Sequence, residues 1–189
     1  MAFVNWASRT NVVPAGKWSV DARRSRVAFA VKHMMVATVN GRFREFAGML
    51  EVGSGAPRAT GVVKAASIDT NEPVRDEHLR DSSDFFDVER YPEISFNSTR
   101  IDYLDGGRFR IVGALTMRGV TREIKLDAQL GVARREAGGD ERIELELRGE
   151  LNRRDFGLTW NQVLETGGAL LGNKVKIALD ISAMKSEVA

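Results

Sequence analysis

The chain carries two histidines, His33 and His78, and both sit where acid–base or metal chemistry has to be considered. His78 lies in the stretch RDEHLRDSSDFFDVERYP, among carboxylates and four residues before Ser82. An imidazole one helical turn from a hydroxyl is the minimum arrangement for an activated nucleophile. Such pairs are common on helices, however, and no oxyanion-hole signature accompanies this one. The chain has no G-x-S-x-G elbow, no G-x-x-x-x-G-K-[ST] loop and no G-x-G-x-x-G fingerprint. The glycine-rich TGGALLGNK lacks the phosphate-loop spacing and runs into a strand pattern instead of a helix. A metal site would need both histidines to converge with a carboxylate, and neither H-x-x-x-H nor H-E-x-x-H occurs. With no cysteine in the chain, thiol nucleophiles, Cys–zinc sites and iron–sulfur clusters are excluded.

The elements that must carry these residues have a period of two. In SRVAFAVKHM, Val27, Phe29, Val31 and His33 share one side, with Ala28, Ala30 and Lys32 on the other. Phe109, Ile111, Leu115 and Met117 alternate with Arg108, Arg110 and Thr116. Ile124, Leu126, Ala128 and Leu130 oppose Glu123, Lys125, Asp127 and Gln129. ERIELELRGEL and KVKIALDI repeat the pattern, which is that of antiparallel strands with one wet and one dry face. Turn signals at Gly53–Gly55, Asp105–Gly107, Arg118–Gly119 and Gly138–Asp140 separate the runs. Long strands with a single dry face and little helix to cover it predict closure into an up-and-down barrel, which also removes the sheet edges. His33 then has two readings, a buried histidine with a satisfied partner or a polar handle inside an apolar cavity.

The stretch around His78 breaks this period. Pro73 suits a first helical turn, with Asn71 upstream as a cap. His78, Leu79, Ser82, Phe85 and Phe86 recur on one helical face, and Pro92 stops the helix. The spacing predicts an amphipathic helix inserted between two strands, its dry face covering the barrel mouth.

The 189 residues are 43 % hydrophobic and 29 % charged, with a net charge of +2. That is a single soluble-type domain with a sizeable core. The expected organisation is a flexible lead over residues 1–15 and a barrel domain over 16–189. No apolar run approaches the roughly 20 residues of a membrane span, and no signal-peptide pattern opens the chain. The expectation is therefore a cytoplasmic protein with no transmembrane segment. Scattered charges without a basic stripe argue against nucleic-acid binding.

Several motifs in series resemble the YceI-like family of lipocalin-like, lipid-binding proteins. They are WSVD, SRVAFAVKHMM, VNGRFREFAG, ASIDTNEPVRDEHLRDSSDFFDVERYPEISFNST, GALTMRGVTREIKLD, LNRRDFGLTWN and GGALLGNKVKIALDI. The resemblance covers nearly the whole chain from Lys17 to Ala183. It implies an all-β fold, an extended antiparallel barrel of about eight strands with a helix near the mouth. It also implies an interior holding a long isoprenoid or similar lipid, no catalytic residues and no cofactor. Two positions depart from the family pattern. Arg24 precedes Ser25 where the family often has histidine. One extra residue separates the His78–Leu79 pair from Phe85–Phe86, a rotation of about 100° that leaves open which phenylalanine faces inward.

The functional expectation is a non-enzymatic protein that binds, sequesters or transports a long-chain amphiphile. Phe29, Val31, Phe46, Phe96, Leu115, Leu126 and Ile177 would form the wall, Leu79, Phe85 and Phe86 would gate one end, and Phe156 and Trp160 would pack nearby. His33 is the candidate interior polar contact. Two alternatives remain at this point. One is a lipid-modifying or isomerising enzyme with His33 or His78 as acid or base. The other is a stress-related structural protein, a homodimer with a filled barrel.

Overall fold

The computed structural model describes residues 13–131, 133–165 and 167–186. The expected lead over 1–15 therefore falls almost wholly outside the described residues. Val13, just inside them, is buried, and the Pro14 carbonyl accepts a hydrogen bond from Trp18 Nε1 at 3.0 Å.

Twelve strands and one helix follow in order: β1 (Gly16–Val20), β2 (Arg26–His33), β3 (Ala37–Phe43), β4 (Phe46–Val52), β5 (Arg58–Lys64), β6 (Ile68–Asp69), α1 (Pro73–Asp81), β7 (Glu93–Tyr103), β8 (Arg108–Met117), β9 (Val120–Leu130), β10 (Arg134–Arg135), β11 (Glu141–Asn152) and β12 (Leu171–Lys185). Several of these are halves of one long bent strand. β12 pairs with β2 from Val31↔Val175 to Arg26↔Asp180, then continues onto β1 from Val20↔Ala183 to Trp18↔Lys185. The break between β1 and β2 is a 3-10 turn at Ala22–Arg24, started by the Asp21 carboxylate accepting from Arg23 N. Ser25 Oγ fills the gap in the ladder by bonding the amide and the carbonyl of Ser182. β3 and β4 are likewise one strand bent at Arg44–Glu45, and β5 and β6 are joined through Ala65–Ser67.

Merged in this way, the staves form an antiparallel up-and-down barrel of eight, closed by β12 against both β11 and the β1–β2 stave. The alternation read from the sequence is what closes it. Phe109, Ile111, Leu115 and Met117 of β8 and Ile124, Leu126, Ala128 and Leu130 of β9 are all buried. Their polar neighbours face water and pair across strands, as in Arg110–Asp127 and Arg148–Asp180. Exposed pairs of this kind contribute little net stability, so burial of the dry face dominates. The turn signals also fall on turns, most tightly at Arg118–Gly119. Both residues there have positive φ (52° and 71°) and join Met117 to Val120 in two residues.

Close backbone approach explains two glycines. A Cβ at Gly41 would lie 2.2 Å from the Phe29 ring, and one at Gly113 would lie 2.4 Å from the Phe96 ring. The tip of each phenylalanine ring takes the space that a Cβ would need at a glycine of the next stave.

The helix stands where the sequence places it, between β6 and β7, but it differs in cap, length and anchoring. Its cap is Glu72, whose carboxylate accepts from Val74 N and Arg75 N; Asn71 takes a left-handed turn conformation instead. It ends at Asp81, because Ser82 turns away and its hydroxyl accepts from Asp84 N. Phe85 and Phe86 therefore sit in the following turn, with Phe86 N bonded to Leu79 O at 3.0 Å. The helix also lacks a continuous dry face. Val74 is 73 % exposed, His78 is exposed, and the buried side chain is Asp76, which accepts hydrogen bonds from the amide and hydroxyl of Thr70. α1 is thus held mainly through polar contacts at its start.

Asp69 lies just upstream of that anchor and ties the chain to β3 and the bend after it. Its carboxylate accepts from Asn71 N, from Arg44 and from Arg42, and these contacts, the Asn71 amide first, lower its pKa from 3.8 to about 2. A depressed carboxylate pKa stabilises the fold above the unfolded value and loses that effect as pH falls through the folded value. Asp69→Asn is expected to lower the melting temperature at neutral pH, with the gap from the unsubstituted protein closing as pH falls from 3.8 to about 2. Melting curves across that range check it. A gap that does not change with pH would contradict this account.

Candidate functional site

The barrel encloses an apolar cavity of about 350 Å³. Its walls come from every stave, and among the described residues only Thr60, Ser95 and Arg153 line it with conventionally polar side chains. Phe29, Val31, Phe46, Phe96, Leu115, Leu126 and Ile177, expected as wall, all face it, and so do Leu79, Phe85 and Phe86. Both phenylalanines of the pair reach it. Phe85 is buried between Trp160, with centroids 5.4 Å apart, and His78, at 5.3 Å edge-on. Phe86 points its edge at Phe43, 5.8 Å away, and Phe43 in turn meets Phe29. Because the pair lies beyond the helix end, the 100° helical rotation no longer decides which ring turns inward.

Three expected residues do not line the cavity. His33 has the right phase but lies at the last position of β2, opposite Leu171 and Ala37, and its side chain does not line the cavity although that of Leu171 does. Phe156 is almost fully buried in the core but stands outside the lumen, and Trp160 contributes only by backing Phe85. Phe43, Ile111, Leu147 and Trp18, not named among the expected wall residues, are part of the lining. The same period-two phase would have identified the first three.

Arg153 is the group that the motif LNRRDFGLTWN conceals. It opens a 3-10 turn after β11, is 4 % exposed and lines the cavity. Its Nε donates to Gly172 O, its Nη1 to Leu158 O and Trp160 O, and its Nη2 to Leu171 O and Asn173 Oδ1. All five N–H donors are used, every one on a neutral acceptor. Burial, and to a smaller extent the nearby Arg154, pulls its pKa below the usual guanidinium value. The other arginine buried among the described residues, Arg142, sits at the opposite barrel end against the carboxylates of Asp21 and Glu136. Both carboxyls are held below their ordinary pKa, with Arg142 the leading cause for Glu136 and the Arg23 amide and Arg142 together outweighing desolvation at Asp21. One end of the barrel therefore carries a neutralised arginine, and the end with α1 carries an arginine solvated by carbonyls.

Among the described residues no group of three or more His, Asp or Glu side chains could hold a metal. The Ser82 hydroxyl is an acceptor in its own turn, and neither histidine faces the cavity.

Residues 18–183 match the family model of the YceI-like domain. This chain belongs to the YceI-like family. Among its relatives, a UPF0312 protein of Staphylococcus epidermidis is 35 % identical over 164 residues, 85 % of this chain and 92 % of that one. One from Staphylococcus aureus is 32 % identical over 163 residues, 84 % of this chain and 92 % of that one. The solved structure of BcnA from Burkholderia cenocepacia superposes with a TM-score of 0.74 at 19 % identity, covering 86 % of this chain and 98 % of that one. A polyisoprenoid binding domain from Saccharophagus degradans, implicated in plant cell wall breakdown, superposes with a TM-score of 0.65 at 19 % identity. That match covers 89 % of this chain and 98 % of the other. The YceI-like barrel expected from the motifs is thus the barrel observed. No helix among the described residues is long and apolar enough to cross a membrane.

Proposed function

We propose that this YceI-like protein binds a long-chain isoprenoid or comparable amphiphilic lipid inside its barrel, to sequester or carry it, without catalysing a reaction on it. The observation that carries this reading is the cavity, open and walled almost wholly by carbon. At about 0.8 kcal/mol per buried methylene, a chain of about twenty carbons represents about 16 kcal/mol of transfer free energy. That approaches the ceiling of non-covalent affinity, so wall contacts alone suffice after ordering costs. The family membership and the polyisoprenoid-binding description of the Saccharophagus domain support the same class of ligand. The enzymatic alternative lacks a base in the right place, since His33 and His78 both lie off the cavity. The filled-barrel alternative is disfavoured by the open interior.

Organic extraction of the purified full-length protein, followed by mass spectrometry, tests the proposal. A long-chain lipid is expected in the extract, or is taken up when geranylgeraniol is offered to delipidated protein. Protein that neither carries nor takes up such a chain would sink the idea.

A further inference from the structure

The apolar surface that the fold leaves bare is concentrated at one place. Met34, Met35 and Val36, at the tip between β2 and β3, are 49 %, 68 % and 84 % exposed, and Val163 is 82 % exposed. The tip touches the loop that bears Val163. Met34 N donates to Leu170 O at 2.7 Å, and the Met35 thioether lies against Gly168, where a Cβ would come within 2.8 Å of the sulfur. Val163 and Ala169 are themselves bridged across that loop. Together they make one knob on the α1 end of the barrel. Among the described residues Met49, Val74 and Leu104 are also exposed, each singly.

The backbone of this knob is unusual. Met34 and Met35 have φ of 50° and 63°, in the left-handed region where unbranched side chains are strained and Asn or Gly is preferred. A tip that served only to reverse the chain would be more stable with those residues. The Met34 amide bond to Leu170 O and the Met35 thioether's seat on Gly168 hold the tip in place but leave both side chains, and that of Val36, largely exposed.

Two features specify what the knob meets. Its base adjoins the cavity wall, since His33 is paired with Leu171, which lines the cavity, and Met34 with Leu170. Just below, the outer face bears Lys32 on β2 and Lys174 and Lys176 on β12, where Lys176 is opposite Ala30. Of the nearby acids, Glu150 pairs with Lys174, and Glu165 lies on the knob's own loop. Exposed apolar side chains backed by lysines are the pattern of an interfacial anchor on an anionic bilayer.

We propose that the Met34–Val36 tip and Val163 dock the barrel on an anionic lipid bilayer, with Lys32 and Lys176 meeting the phosphates. The part of the cavity wall at Leu171 then faces the source or destination of its ligand. This last step rests on the lipid-binding reading, whereas docking itself does not.

Co-sedimentation of the full-length protein with vesicles tests it. The unsubstituted protein is expected to bind vesicles of equal parts phosphatidylcholine and phosphatidylglycerol, more weakly with phosphatidylcholine alone and more weakly at high salt. The triple variant Met34→Asn, Met35→Gly, Val36→Thr places residues suited to positive φ at the tip. It should melt at the same temperature or higher while its vesicle partitioning falls about tenfold or more. Lys32→Gln with Lys176→Gln should flatten the salt dependence. The proposal is overturned if the unsubstituted protein ignores both vesicles, or if the triple variant binds as well as it does. It is equally overturned if the tip mediates self-association in light scattering with no vesicle uptake, since the knob would then fit a second copy of the chain. Protein that yields lipid on extraction yet ignores vesicles removes docking and keeps the binding reading. Lipid-free protein that still docks through the tip does the reverse.

Discussion

Arg153→Met is expected to destabilise the protein by about 3–5 kcal/mol, seen as a lower denaturant midpoint with an unchanged slope. The guanidinium joins four backbone carbonyls, those of Leu158, Trp160, Leu171 and Gly172, to the start of the turn after β11. Methionine fills a similar space but removes the side-chain donor from the carbonyls of Leu158, Trp160 and Gly172 in a site that water enters poorly, while Leu171 O keeps its bond from Asn161 Nδ2. Lysine keeps the charge, yet three rotatable donors cannot reproduce a planar fork that serves five acceptors, so Arg153→Lys should recover only part of the loss. Arg154→Met is the control, because Arg154 is exposed. If the two methionine variants unfold at the same denaturant concentration, the clamp described for Arg153 is wrong.

Ala128→Phe is expected to hold or raise the melting temperature while weakening binding of a long-chain isoprenol by more than about hundredfold. Ala128 is 4 % exposed, faces the cavity and is paired with Phe109 and Leu147 towards the barrel end remote from α1. A ring there occupies the room of several methylenes. It shortens the chain the barrel can hold, so a short-chain analogue should bind almost normally. In an interior already filled by side chains the same ring would overpack and cost about 1–3 kcal/mol. Melting temperature and chain-length preference, measured together, therefore distinguish an open lumen from a filled one. A destabilised variant with unchanged ligand preference would remove the lumen from the account.

The strands were legible because one face is wet and the other dry along their whole length, as at Ile124–Leu130. Alternation reports which side of the wall a residue faces, but not its height along the barrel. His33 shows the difference, since it keeps the inward phase yet sits at the very end of β2 and does not line the cavity. The broken staves were hidden for another reason. The gap at Asp21–Ser25 is closed by Ser182, 157 residues away from Ser25, and no local pattern encodes that partner. At α1, helical spacing carried the expectation through to Phe86. The Ser82 hydroxyl instead satisfies a nearby backbone amide and ends the helix a turn earlier, a local competition that periodicity does not register. Arg153 stood in a quoted motif, but its burial depends on the loop up to Asn173 folding back over it. Both members of the phenylalanine pair matter to the cavity, and the neighbouring histidine only braces one of them.

The seam between β12 and the β1–β2 stave also has a kinetic meaning. It joins parts of the chain as far apart as Ser19 and Ser186, which are 167 residues apart in sequence and share a 2.8 Å hydrogen bond. During synthesis, β1 to β11 emerge before their closing partner, with two open edges and an apolar inner face exposed to the surroundings. Non-local pairings of this kind form late and slowly. Of the whole sequence, the nascent chain is most open to edge-to-edge aggregation in the interval before β12 arrives, and closing the ring ends that exposure in one step.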